Sequence, residues 1–273
     1  MKQIRLRDGR TIPQLGLGTW QLTGRECRKS VAEAIAMGYR HIDTAFAYGN
    51  HNEVAAGIKE SGLPREELYV TTKIPLNEQS RSQVLALGQS IPKQLGMEYV
   101  DLLLLHWPDK TVPFEETFAA LAALIEEGRT RSIGISNFNP DLVRRADAVS
   151  PVPVVTNQVE FHPYLYQKTL LETCEELDIR VTAYSPIARG EVVGDDRLEQ
   201  IGRAHDASAV QVSLAWLFAR GLIVIPKASS EDHLRSNLAA TEIELTPDEL
   251  ERIDSFEEHR RFVDGSWKHF PLE

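Results

Sequence analysis

The chain has 273 residues, 42% apolar and 26% charged, with a formal net charge of −10. That balance is ordinary for a soluble globular protein with a sizeable core. The acidic excess argues against a nucleic-acid surface, which wants clustered Lys and Arg, but leaves room for a local basic pocket holding a phosphorylated small molecule.

Cys27 and Cys174 are the only cysteines, too few for a disulfide framework and in keeping with a reducing compartment. The opening "MKQIRLRDGRTIP" has no apolar signal core, and the runs "LLLL" and "LIVI" are too short to span a bilayer. The expectation is a cytoplasmic protein with no membrane partner. No linker or low-complexity tract interrupts the chain, so one domain over 1–273 is expected.

In chain order, "IRLRDGRTIPQLG" reads as a hairpin with Asp8-Gly9 in its turn. Eight short β-rich runs follow: "QLGLGT", "HIDTA", "LYVTTKI", "VDLLLLH", "RSIGIS", "VVTNQVEF", "RVTAYSP" and "LIVIPKA". Most gaps between them carry helical patterns. In "FEETFAALAALIEEG", Phe114, Phe118, Leu121 and Ile125 form one apolar stripe, and Gly128 supplies a stop. "TGRE" from Thr23 and "TPDE" from Thr246 read as capping boxes, the second with Pro247 at the first helical position.

Strands alternating with helices, many strands apolar throughout, predict a parallel sheet closed into a (β/α)8 barrel. The N-terminal hairpin precedes it, and the "TPDE" helix and an irregular tail follow it. The rival, an open doubly wound sheet binding a dinucleotide, wants an early G-x-G-x-x-G, which "GLGTWQ" does not supply.

In such a barrel the C-terminal strand ends point into the active site. Asp43, Lys73, His106, Ser136 with Asn137, Tyr184 and Lys227 fall at strand ends, and Gln158 lies on strand six. Singly, each has a bland reading: a cap, a snorkelling lysine, a hydrogen-bonded histidine. Together, charged groups at one end of an apolar barrel need partners. The stretch "RHIDTAFAYGN" poses the choice. His41 and Asp43 share a strand face and could be metal ligands with His106 and His162, making a metal-dependent hydrolase. Alternatively, Asp43 holds a Lys73 ammonium beside the Tyr48 phenol, and His106 orients a substrate oxygen, forming a tuned acid that protonates a carbonyl.

From end to end the chain resembles the aldo-keto reductases. The matching segments are "GLGTW", "HIDTAFAYGNHNEV", "TTKI", "DLLLLHWP", "IGISNF", "NQVEFHPY", "AYSPIARG" and "IPKASSEDHLRSN". In size and loops it is most similar to the short bacterial branch, with 2,5-diketo-D-gluconate and methylglyoxal reductases. The resemblance implies an enzyme that reduces small aldehydes or ketones with NADPH, NADH being accepted less well. It implies Tyr48 as general acid, tuned by Lys73 and Asp43, with His106 orienting the carbonyl. No metal is expected, since such sites need several well-spaced donors and Lys73 in the pocket would repel a cation.

By the same resemblance, Ser136, Asn137 and Gln158 hold the carboxamide and Tyr184 stacks on the nicotinamide. Gly18, Thr19, Trp20, Ser185, Pro186, Ile187, Ser229 and Asn237 join the cofactor contacts. Trp20, Trp107 and Phe46 line the substrate pocket with Tyr48 and His106. The phosphate end departs from the family pattern: Lys227, Ser230 and Asn237 are kept, but Ala228 replaces Ser, His233 replaces Arg and Ser236 replaces Glu, with Arg235 displaced along the helix. Weaker discrimination between the two cofactors is therefore expected. The tail "RRFVDGSWKHFPLE" is expected to border the pocket, with Trp267 against the ligand and Asp264 and Lys268 solvated. A monomer is expected. A cofactor-binding sensor or accessory subunit on the same fold is the remaining alternative.

Overall fold

The structure, a computed structural model, describes residues 2–263. The hairpin pairs β1 (Gln3–Arg5) with β2 (Thr11–Pro13) in antiparallel register, Arg5 opposite Thr11. Asp8 and Gly9 lie in its connection, Gly9 with a φ of 87°.

Eight parallel strands follow: β3 (Leu17–Gly18), β4 (His41–Asp43), β5 (Tyr69–Ile74), β6 (Val100–Leu105), β7 (Thr130–Ser136), β8 (Val154–Glu160), β9 (Arg180–Tyr184) and β10 (Ile223–Val224). Each pairs with its sequence neighbour. The sheet closes where Gly16 N–H donates to Val224 O at 2.9 Å, Val224 N–H to Gln14 O at 2.8 Å and Gly18 N–H to Pro226 O at 3.1 Å. The predicted barrel and its eight strands are all present.

Alternation explains the apolar runs. In β6, Leu103 and Leu105 face the surrounding helices, whereas Leu102 and Leu104 join Ile4, Leu6 and Ile12 of the hairpin inside the barrel. The hairpin thus plugs the end opposite the C-terminal strand ends. Helix α1 (Gly24–Ala36), α2 (His51–Ser61), α3 (Arg81–Gln94), α4 (Phe114–Glu126), α5 (Pro140–Val149) and α6 (Lys168–Glu176) cover the outside between strands. In α4, Phe114, Phe118 and Leu121 are buried, Ile125 is half-buried, and Gly128 follows with a φ of 69°.

One local expectation differs. Thr23 caps no amide with its side chain; Gly24, just inside the helix, has a φ of 51°, outside the helical region. Between β9 and β10 there are two helices, α7 (Asp196–Gly202) and α8 (Ala209–Ala219). Helix α8 is apolar nearly all round because a later helix also covers it: Trp216 Nε1 donates to Asp254 at 2.8 Å. After β10 come α9 (Glu231–Ala239) and α10 (Pro247–Asp254). The latter begins with the predicted box, Glu249 N–H on Thr246 Oγ1 at 3.3 Å and Thr246 N–H on Glu249 Oε2 at 2.8 Å. Among the described residues no helix is long and apolar enough to cross a membrane.

Candidate active site

The strand register brings the proposed acid together. Asp43 ends β4 beside Gly18 of β3, and Lys73 lies one step from the end of β5, opposite Leu104. Lys73 is fully buried. Its ammonium has three protons and three acceptors: Asp43 Oδ1 at 2.6 Å, Thr44 O at 2.8 Å and, longer, the Tyr48 hydroxyl at 3.4 Å.

Tyr48 sits on a 3-10 turn, Phe46–Tyr48, that ends at Gly49, whose φ is 65°. Asn50, itself buried, fixes that turn by accepting from Thr44 Oγ1 at 2.8 Å and donating to Thr19 O and Leu22 O at 2.9 and 3.0 Å. Nothing in the spacing pointed to Asn50, although it closes the quoted stretch. His106 follows β6, held by its own N–H on Ile74 O at 2.9 Å. Its ring meets that of Tyr48 edge-on, centroids 5.7 Å apart and planes at 76°.

Burial alone would push the Lys73 ammonium down; Asp43 and the Tyr48 oxygen outweigh it and hold the pKa above its ordinary value, so the side chain is charged. For Tyr48, burial pushes the phenol up and Lys73 pulls it back, and burial prevails. The phenol therefore keeps its proton at neutral pH. Lys73 alone would shift the phenol down; desolvation, which the sequence does not display, outweighs it.

The residues expected to hold a carboxamide lie together across β7 to β9. Ser136 Oγ donates to Gln158 O at 2.8 Å, Asn137 Nδ2 to His106 O at 2.9 Å, and the Tyr184 hydroxyl to Asn137 Oδ1 at 2.7 Å. Gln158 turns its amide N–H onto Asp43 Oδ2 at 2.7 Å, tying this set to the ion pair. These neutral amide and hydroxyl groups suit a primary carboxamide, which needs both donors and acceptors.

Beyond them the chain bends sharply. Ser185 (φ 48°) and Ala188 and Arg189 (φ 49° and 54°) all adopt left-handed backbone, as does Asn137 at 63°. Pro186 gives its carbonyl to Ser213 at 2.8 Å, and Ile187 is half-buried. Thr19 is fully buried and spends both N–H and hydroxyl on Asp43 O, each at 3.0 Å, so it staples the strand end.

Lys227, bridged to Gly18, is exposed. Ser230 caps α9, accepting from His233 N–H at 3.3 Å, and half-buried Ser229 precedes it. The His233 side chain is exposed, Asn237 is buried, and Arg235 is paired with Glu231 one turn earlier at 2.5 Å. The three aromatic wall candidates separate. Trp20 is 41% exposed, Phe46 half-buried against His51 with ring centroids 6.2 Å apart, and Trp107 only 5% exposed with its carbonyl held by Gln79 at 2.7 Å.

The hydrolase set does not converge. His41 Nε2 shares a hydrogen bond with Thr71 Oγ1 at 3.0 Å beneath Gly16, where any side chain would strike the imidazole. Burial lowers the His41 pKa to about 4. His162 lies against Glu160 at 3.1 Å. Asp43 is engaged by Lys73, and among the described residues no three His, Cys, Asp or Glu group to hold a metal.

Glu160 is the residue that motif reading passed over. Fully buried at the end of β8, it accepts Phe262 N–H at 2.7 Å and Val263 N–H at 2.8 Å. Burial opposes its charge, but His162 and the two amides outweigh that and hold its pKa below the usual range. The C-terminal segment is thereby clamped beside Tyr184, which pairs with Glu160 in register. Asp264, Trp267 and Lys268 lie outside the described residues.

A family model for the aldo/keto reductase family matches residues 14–258. The chain belongs to the aldo/keto reductase family. Its resemblance extends to the 9,11-endoperoxide prostaglandin H2 reductase of Trypanosoma cruzi (strain CL Brener), 39% identical over 272 residues that cover 98% of this chain and 96% of that protein. The glyoxal reductase of Bacillus subtilis (strain 168) is 36% identical, covering 94% of each chain. The crystal structure of a Bombyx mori aldo-keto reductase in complex with NADP superposes with a TM-score of 0.92 at 34% identity, over 99% of this chain and 98% of that one. Membership of the aldo/keto reductases makes carbonyl reduction the reaction class against which the strand-end geometry is to be understood.

Proposed function

We propose that the protein is an NADPH-dependent reductase of small aldehydes and ketones, with Tyr48 as the general acid. The observation that carries this reading is the Lys73 ammonium, buried between the Asp43 carboxylate at 2.6 Å and the Tyr48 hydroxyl at 3.4 Å. A charged lysine held there stabilises the phenolate that remains when Tyr48 gives up its proton. His106, edge-on to Tyr48, is placed to orient the substrate oxygen toward that hydroxyl. Such proton transfer is worth roughly 10² to 10⁴ in rate.

Bound NADPH supplies the hydride. Ser136, Asn137 and Gln158 would hold its carboxamide, and Tyr184 would face its ring. Gly18, Lys227, Ser230 and the first amides of α9 would take the phosphate end. Two features weaken the phosphate grip: His233 offers less than the planar fork of an arginine, and Arg235 is committed to Glu231. The preferred cofactor is therefore NADPH with modest discrimination.

The substrates in this reading are small polar carbonyls, including methylglyoxal and keto-sugar acids, because the segment "WPDKTVPF" beside Trp107 is short. The reading extends to one barrel domain acting as a cytoplasmic monomer, in keeping with the free, buried thiols of Cys27 and Cys174. Steady-state reduction of a panel of aldehydes, ketones and keto acids with each cofactor tests it. Higher kcat/KM with NADPH is expected; equal or better efficiency with NADH overturns the preference, and no oxidation of either cofactor by any carbonyl overturns the activity.

A further inference from the structure

Asn50 occupies the residue before α2, where a short polar side chain ordinarily caps the first amides of a helix. Asn139, at the same place before α5, does so: its backbone is extended and its side chain accepts Leu142 N–H at 3.0 Å. Asn50 differs on both counts. Its backbone lies at φ −120° and ψ 15°, and its side chain bonds none of the α2 amides. Helix α2 thus forgoes a local stabilisation that its own sequence offers, a departure expected where function competes with local preference.

The Asn50 amide is spent instead on closing a ring. Its Oδ1 accepts from Thr44 Oγ1 at 2.8 Å, and its Nδ2 donates to Thr19 O at 2.9 Å and Leu22 O at 3.0 Å. Thr19 in turn gives its N–H and hydroxyl to Asp43 O. Asp43 Oδ1 holds the Lys73 ammonium, which donates to Thr44 O at 2.8 Å. Asn50, Thr19, Asp43, Lys73 and Thr44 are all buried, so the circuit is shielded from competing water. The Thr44–Asn50 bond also joins the two ends of the short segment that carries Tyr48. Within that segment Phe46 and Tyr48 are half-buried and Ala47 and Gly49 exposed. The Tyr48 hydroxyl lies 3.4 Å from the ammonium, the longest of the three lysine contacts. A bond of that length is near the limit of usefulness, and a small outward shift of the segment would lose it.

We propose that Asn50 is a positioning residue for the proton transfer. With Thr44 it clasps both ends of the Tyr48 segment and so sets the distance between phenol and ammonium. The assignment rests on the reading of Tyr48 as general acid. With the clasp open, the phenolate formed in the reaction loses part of its stabilisation, which slows turnover rather than weakening binding.

Thr44→Val tests this most cleanly, because it removes the hydroxyl and keeps both the side-chain shape and the carbonyl used by Lys73. Aldehyde turnover is counted per NADPH-binding site, the sites being titrated by fluorescence quenching. In Thr44→Val, kcat per site should fall about tenfold, with the aldehyde KM and the NADPH dissociation constant within about twofold of the parent's. Asn50→Ala should lose at least as much, whereas Thr44→Ser, which keeps the hydroxyl, should stay within about threefold of the parent. If Asn50→Ala fails to fold, the two Thr44 variants decide. A merely structural role would reduce the number of NADPH-binding sites and leave kcat per site unchanged. A raised KM or weaker NADPH binding at full kcat would place Asn50 in the wall of the binding site through the Trp20 turn. Either result, or a Thr44→Ser protein as slow as Thr44→Val, overturns the assignment. Full kcat in Thr44→Val beside a Tyr48→Phe protein that is inactive overturns the positioning role alone. No turnover of any carbonyl by the parent, or normal turnover by Tyr48→Phe, overturns the reading beneath it as well.

Discussion

The two ends of the barrel carry the same constellation and use it differently. At the C-terminal end, Asp43 pairs with Lys73 at 2.6 Å beside Tyr48. At the opposite end, Asp101 pairs with Arg65 at 2.6 Å beside Tyr99, whose ring lies between Arg65 at 4.4 Å and Arg131 at 4.0 Å. A carboxylate, a cation and a phenol therefore do not by themselves make a reactive site. At the hairpin end the guanidinium also binds the carbonyls of Leu68 and Tyr99 at 2.7 and 3.0 Å, and Asp101 accepts Val70 N–H at 2.8 Å. Those bonds staple backbone to backbone. At the other end the lysine has a phenol oxygen as its third partner, and the phenol has His106 at its edge.

A groove of ≈ 720 Å³ borders Tyr69, Tyr99 and Asp101 at the hairpin end, and another of ≈ 590 Å³ lies by Arg197 and Phe256. Neither is lined by any of the four catalytic candidates.

Substitutions can break this comparison. Lys73→Met carries the largest effect: kcat should fall by roughly 10² to 10⁴, and the pH–rate profile should change shape because the phenol has lost its ammonium. Urea unfolding should also show about 3–5 kcal/mol of destabilisation, since Asp43 is left buried without its cation. A variant with the parent's pH–rate profile would remove Lys73 from the tuning role. Arg65→Met should cost only about 1–3 kcal/mol in the same unfolding measurement, leaving kcat/KM within about twofold. A large loss of turnover there would mean that the two ends are coupled, and the distinction drawn between them would fail.

The sequence made one end legible and left the other obscure for a physical reason. Asp43, Lys73, His106 and Tyr184 could be found because β-strand register carries a residue's place along its strand into its place in the barrel. Tyr48 depends on a turn, but Asn50 and Gly49 fix that turn within a few residues. Glu160 clamps amides about a hundred residues away, a contact no periodicity reports, so His162 was open to a metal reading when its partner is that carboxylate. Trp20 and Trp107 look alike as residue types; only packing makes one open and the other buried. The failure of the Thr23 cap turns on the backbone of Gly24, and helix α7 is too short for an apolar stripe to announce it. The upward net shift at Tyr48 comes from burial, a tertiary property.

The central claim is that Tyr48 supplies the proton while the cofactor site stands independently of it. The direct measurement is Tyr48→Phe: NADPH binding by fluorescence quenching alongside aldehyde turnover on the same preparation. The account predicts an NADPH dissociation constant within about twofold of the parent's and turnover reduced by at least about 10². Turnover close to the parent's, with NADPH still bound, would contradict it.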